Sequence, residues 1–183
     1  IAMSGWRRAL WYDETGLIWI PPSPNMPHLS TAIVYPGMCL LEGTNYSLGR
    51  GTPLPFEMVG APWVDGFALA TELNALKIDG VRFRPTAFTP AADKFANESC
   101  FGVQVHVTDR EALRPVTMGL RLIATLRALY PERFAWRAEH FDRLVGDGRV
   151  RERVERVEEV VEGWREEQED FERRRAACAS RSR

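Results

Sequence analysis

Cysteine is scarce in this sequence: Cys39, Cys100 and Cys178 stand far apart among 183 residues, with no Cys-x-x-Cys pair. That spacing suggests neither a zinc site nor a disulfide framework, and the three read as small buried or incidental residues. Histidine is equally sparse. His28, His106 and His140 are scattered along the chain, and a lone histidine is more often a satisfied structural residue than a ligand, so no metal and no cofactor is expected. No apolar stretch approaches the ~20 residues of a membrane helix; polar residues or proline interrupt each one, so no membrane span is expected. An excess of one charge is missing too. Lysine and arginine number 24 against 25 acids, for a formal net charge of -1, and no basic field points to nucleic acid as a partner. The opening Ile1-Ala2-Met3-Ser4-Gly5-Trp6 has neither a start methionine nor the charged-then-apolar pattern of a signal peptide. The chain is therefore expected to begin mid-protein, with any targeting segment upstream.

What is present, 45% hydrophobic and 27% charged residues, fits a globular chain able to bury one sizeable core. Trp6, Trp11 and Trp19 precede the cluster Pro21-Pro22-Ser23-Pro24-Asn25-Met26-Pro27, which forbids regular helix and favours an extended, turn-rich path. Residues 1–27 thus read as a connector with anchoring aromatics, and residues 28–183 as an α/β domain. Residues 30–35 predict a short helix capped by Ser30 and stopped by Pro36-Gly37. A second helix starts at Asp65 as its cap, packs Phe67, Leu69, Leu73 and Leu76 inward, and closes near Gly80. Residues 81–88 and 101–107 alternate apolar and polar side chains, the mark of half-buried strands in a mixed or antiparallel sheet. Val116, Leu120, Ile123, Leu126 and Leu129 mark an amphipathic helix that ends before Pro131. From about Arg149 a densely charged helix carries an apolar stripe from Val150 to Phe171, its Glu and Arg residues forming a solvated face with local ion pairs. The expected fold class is α/β (α+β): a small mixed sheet with flanking helices and a long charged C-terminal helix.

The most site-like segment is the loop of residues 42–52, Glu-Gly-Thr-Asn-Tyr-Ser-Leu-Gly-Arg-Gly-Thr, which concentrates donors, acceptors and glycines without helical or strand periodicity. Carboxyl chemistry such as glycoside hydrolysis uses two acids ~5 to ~9.5 Å apart, and Glu42, beside Gly43 and Leu41, is the best single candidate. Taken alone, the residues equally describe a carboxylate capping its own loop. Arg50, between two glycines, suits bidentate capture of a carboxylate or phosphate, or a structural ion pair, for instance with Glu57. Asn45, Ser47 and Thr52 offer hydrogen bonds to sugar hydroxyls, or merely to turns. Trp6, Trp11, Trp19 and Trp63 offer rings for a sugar face, or core anchors. Gln104 and His106 share one side of their strand, facing either a cleft or solvent. Asp13 and Glu14 have no assigned role.

An ordered set of short motifs adds to this. Gly5-Trp6-Arg7-Arg8, Trp11-Tyr12-Asp13-Glu14-Thr15-Gly16-Leu17 and the proline cluster come first; Thr31 to Gly37, Glu42-Gly43-Thr44-Asn45, Gly49-Arg50-Gly51-Thr52, Pro55-Phe56-Glu57 and Gly60-Ala61-Pro62-Trp63 follow. Gly80 to Pro85, Phe88-Thr89-Pro90 and Gly102 to Asp109 extend the series. Together they resemble the NamZ-type exo-β-N-acetylmuramidases over nearly the whole chain. The resemblance implies a secreted or envelope-associated bacterial hydrolase that uses water to release N-acetylmuramic acid from the non-reducing ends of peptidoglycan fragments. It implies an N-terminal Rossmann-like domain, missing here and expected as the partner of this C-terminal part, with the sugar in the cleft between them. The principal catalytic carboxylate is associated with that other half, which makes Glu42 a cleft residue and possible partner acid. Arg50 would meet the lactyl carboxylate of muramic acid, Asn45 and Thr52 the sugar ring, with Asn25 and His106 counted among the substrate-binding residues. The stretch Ala176-Ala177-Cys178-Ala179-Ser180 departs from the aromatic-aliphatic tail of the family. The alternative to an enzyme part is a non-catalytic carbohydrate- or protein-binding module.

Overall fold

The computed structural model describes residue 7 and residues 9–179; Trp6 lies outside them. The first helix, α1, runs Leu29–Met38 and continues directly into a 3₁₀ turn, Cys39–Gly43. Ser30 and Pro36-Gly37 do not bound it as expected. His28 holds the cap position, and the Ser30 and Thr31 hydroxyls instead donate to Oε1 of buried Glu57 at 2.8 and 2.7 Å. Pro36 falls inside the helix, where it has no N–H to donate to the Ala32 carbonyl one turn back. Gly37 serves a different purpose: a Cβ there would overlap the Pro115 carbonyl, and one on Gly119 would overlap Gly37. Two glycines thus let helix α1 cross helix α3, Pro115–Leu129, backbone against backbone.

Three strands follow the site loop: β1 Met58–Ala61, β2 Val81–Phe88 and β3 Cys100–Val107. The order is β1-β3-β2, and both pairings are antiparallel, Val59 opposite Val103 and Phe83 opposite Val105. One face of the sheet buries Val59, Val81, Phe83, Val103 and Val105 in the main core; Met58, Phe88 and Cys100 form a smaller cluster on the other. Helix α2, Gly66–Ala75, packs on β2 and β3. Its cap is the expected one, Asp65 accepting from the Phe67 and Ala68 amides at 2.9 and 3.0 Å. Its buried face differs: Leu69, Ala70 and Leu73 are buried, while Phe67 and Leu76 are exposed. Each fully buried leucine contributes on the order of 2 kcal/mol.

Past α3 come α4 Ala138–Val145, α5 Gly148–Glu152 and α6 Val157–Ala179, so the charged region expected as one helix from about Arg149 forms two, α5 and α6. Gly146, at φ 82, ends α4 in the left-handed conformation that glycine adopts without strain. Asp147 caps α5, and an Arg151–Asp142 fork at 2.9 and 3.0 Å ties α5 to α4. Val150, Val154, Val157 and Val160 are buried and Phe171 is exposed, so only the front of the stripe reaches the core. The architecture is the expected α/β class, with the long charged helix at its end. The N-terminal segment docks through Arg110, which bonds the Asp13 carboxylate at 2.7 and 2.8 Å and stacks over the Trp11 ring at 4.9 Å.

Candidate functional site

The loop expected to carry chemistry does converge on a cleft, and the chain builds it from four separate segments. Glu42 lies in the 3₁₀ turn after α1. Arg50 sits between Gly49 and Gly51, at φ 68 and 78, a left-handed backbone that favours glycine. A Cβ on Gly51 would also strike the Ala91 and Ala92 amides, so residues 90–97 lie directly on this turn and bring Asp93 and Lys94 to it. In the fourth segment, residues 135–137 zip onto residues 43–45: the Asn45 amide donates to Ala135 O at 3.1 Å and the Arg137 amide to Gly43 O at 2.8 Å. Gly43 has no room for a Cβ against Phe141, which seats α4 on the turn and turns His140 toward Glu42.

The result is a cleft of about 400 Å³ lined by Glu42, Arg50, Asp93, Lys94, Arg137 and His140. The Arg50 guanidinium pairs with Glu42 Oε1 and lies 3.5 Å from Asp93 Oδ2. It also stacks 4.8 Å from the Phe56 ring centroid, which adds a cation–π attraction. Glu42 Oε2 lies 3.6 Å from His140 Nε2. Lys94 points inward and donates to the carbonyls of Thr44 at 2.6 Å, Tyr46 at 3.1 Å and Glu42 at 3.4 Å. Burial lowers its ammonium to about 8, with Asp93 partly opposing that fall. Asp93, Phe95 and Asn97 all have positive φ, a strained backbone held by the Lys94 bonds and by Phe95 packed edge-on to Trp63 at 5.2 Å. Cys39 below Glu42 is pushed up to about 11, first by burial and then by the Glu42 charge. Among the described residues no group of three or more acidic, histidine or cysteine side chains has the arrangement of a metal site.

Of the sequence-derived candidates, Glu42 and Arg50 meet in this cleft. Arg50 pairs with Glu42 and Asp93 rather than with Glu57, whose carboxylate is taken by Ser30 and Thr31. Asn45 is committed elsewhere: its Nδ2 donates to Arg133 O at 2.8 Å and its Oδ1 accepts from the Ala135 amide at 2.9 Å. Thr52 closes its own turn, donating to Gly49 O at 2.6 Å. Asn25 lies in the proline-rich turn, its amide bonded to Ser23 Oγ, and does not line the cleft. His106 is exposed on β3 opposite Arg82, while its strand neighbour Gln104 is buried and accepts from Arg84 at 2.6 Å. The tryptophans act as anchors: Trp19 donates to Pro27 O at 3.0 Å and Trp63 packs on Tyr46 and Phe95. Asp93, Lys94, Arg137 and His140 are the members that sequence reasoning missed. Residues 90–97, Pro-Ala-Ala-Asp-Lys-Phe-Ala-Asn, carry no motif or periodicity that marks the first two.

Fold and site together define an α/β domain that carries an ionic cleft built on a glycine-bounded loop. Comparison with known proteins gives that description a family. Residues 33–179 match the model "Exo-beta-N-acetylmuramidase NamZ, C-terminal", and residues 1–30 match its N-terminal counterpart. The chain is 40% identical over 179 residues to the peptidoglycan beta-N-acetylmuramidase NamZ of Bacillus subtilis (strain 168), covering 96% of this chain and 43% of that protein. It is also similar to two crystal structures of DUF1343 family proteins from Bacteroides fragilis NCTC 9343. The first has a TM-score of 0.84 and 35% identity, covering 92% of this chain and 47% of its own. The second has a TM-score of 0.63 and 29% identity, covering 86% and 42%. This chain belongs to the NamZ exo-β-N-acetylmuramidase family, and it spans less than half the length of these relatives.

Proposed function

We propose that this chain forms the C-terminal wall of the sugar cleft in a peptidoglycan glycoside hydrolase that releases N-acetylmuramic acid from non-reducing ends. The observation that carries the reading is the Glu42 carboxylate, held by Arg50 and faced by His140 in an open ionic cleft, in a chain of this family. Glycoside hydrolysis needs a proton donor and a second carboxylate on opposite sides of the scissile bond. With Oε1 committed to Arg50, Glu42 is placed to accept hydrogen bonds from the sugar or from water. The proton donor is then assigned to an N-terminal domain of the Rossmann-like kind that closes the cleft, and the whole works outside the cytoplasm, secreted or in the envelope, where peptidoglycan lies.

The test is release of the chromophore from a chromogenic β-N-acetylmuramide by the purified chain, alone and in a polypeptide extended through the N-terminal domain. Turnover by the longer polypeptide only, lost on Glu42→Gln, supports the reading. Turnover by the chain alone moves the acid to Glu42. Sugar binding with no turnover in either form identifies a binding module instead.

A further inference from the structure

The cleft is lined by three cations, Arg50, Lys94 and Arg137, and two carboxylates, Glu42 and Asp93. Two of the cations are already answered. Arg50 is paired with both carboxylates, and Lys94 directs its three donors into three backbone carbonyls. Arg137 has no such partner: among the described residues its guanidinium forms neither an ion pair nor a side-chain hydrogen bond, although it lines the cleft and is exposed. Its backbone is nonetheless fixed, with the amide on Gly43 O at 2.8 Å and the carbonyl accepting from the His140 and Phe141 amides at 3.0 and 2.9 Å. It also occupies the cap position of α4 with no side chain filling the cap, so the positive end of that helix adds to its field. Glu139, the acid of that first turn, does not line the cleft.

We infer that Arg137 is the specificity residue of this cleft and binds the carboxylate of a monoanionic sugar. The inference rests on the muramidase reading, under which that group is the lactyl carboxylate that separates N-acetylmuramic acid from N-acetylglucosamine. A guanidinium offers a planar fork that matches a carboxylate bidentately, and an unpaired one can accept an anion without first breaking an ion pair. Arg50 would have to give up Glu42 to do the same. Arg50 therefore positions Glu42, and Arg137 reads the ligand charge.

Titration of the full chain with N-acetylmuramic acid, its lactyl methyl ester and N-acetylglucosamine tests this. The acid should bind on the order of ten-fold more tightly than either uncharged sugar. Arg137→Ala should erase that preference and leave ester affinity unchanged, and Arg137→Lys should restore part of it, with unfolding midpoints near the parent value. A preference that survives in Arg137→Ala, or one erased by Arg50→Ala while Arg137→Ala keeps it, overturns the inference but not the sugar-cleft reading. Equal binding of acid and ester by the parent chain does the same. Binding of none of the three overturns the sugar-cleft reading and the inference with it.

Discussion

Arg50 holds Glu42 by one carboxylate oxygen and leaves the other 3.6 Å from His140 Nε2. The carboxylate is thus oriented from two sides by groups that reach it from different parts of the chain. Both partners of the ion pair are about three-quarters covered, at 28% and 20% side-chain exposure, so solvent still screens it. Together with the Phe56 stacking, Arg50→Ala should lower stability by about 1–2 kcal/mol. In a double-mutant cycle with Glu42→Gln, denaturant unfolding should give a coupling of about 0.5–1 kcal/mol; strict additivity would show that the pair carries no energy.

Gly43 fixes where α4 sits, because Phe141 occupies the space a side chain would need. Gly43→Ala should therefore push α4 away and cost about 1–3 kcal/mol as overpacking. The same shift moves His140 from Glu42. Thermal unfolding reads the first effect, and a Tm equal to the parent's would mean the helix yields freely.

Asn45 was a candidate sugar ligand, and both ends of its amide bond the backbone at Arg133 and Ala135. Asn45→Ala should act through stability, costing about 1–3 kcal/mol for two lost bonds to the backbone of residues 133–135. Affinity for N-acetylmuramic acid in the folded variant should stay within a few-fold of the parent. A collapse of affinity without loss of stability would return Asn45 to the ligand.

Lys94 gives the domain a pH signature. Its folded-state ammonium titrates at about 8 through burial, against 10.5 when exposed. Between those values the unfolded chain holds a proton that the folded chain has released, so stability rises with pH. The Cys39 and Cys100 thiols act oppositely: burial pushes both from 9.0 up to about 11, so above pH 9 the unfolded chain loses protons that the folded chain keeps, and stability falls. Unfolding free energy should climb from pH 8 to about 9 and then turn down. Lys94→Met should flatten the climb; a climb that persists would assign it to another group.

Local signals in the sequence were legible because one residue determines them. Asp65 caps α2 through its own side chain, and the alternation of residues 81–88 produces β2 directly. Strand β1 was not legible, because Met58–Ala61 is buried at all four positions and shows no alternation. Helix α4 was missed because it buries only Phe141 and depends on Gly43 for its seat. The site divides the same way. Glu42 and Arg50 stand in one loop and could be picked by composition, whereas Asp93, Lys94, Arg137 and His140 reach the cleft through tertiary docking at Gly51 and Gly43.

The most direct measurement follows backbone amide shifts of the isotope-labelled chain as N-acetylmuramic acid is added. A sugar wall at the ionic cleft requires the largest changes at residues 42–43, 50–51, 93–94 and 137–140, saturating together. Changes centred on the exposed β3 face around His106, or along α6 beyond Trp164, would place the ligand elsewhere and contradict the central claim.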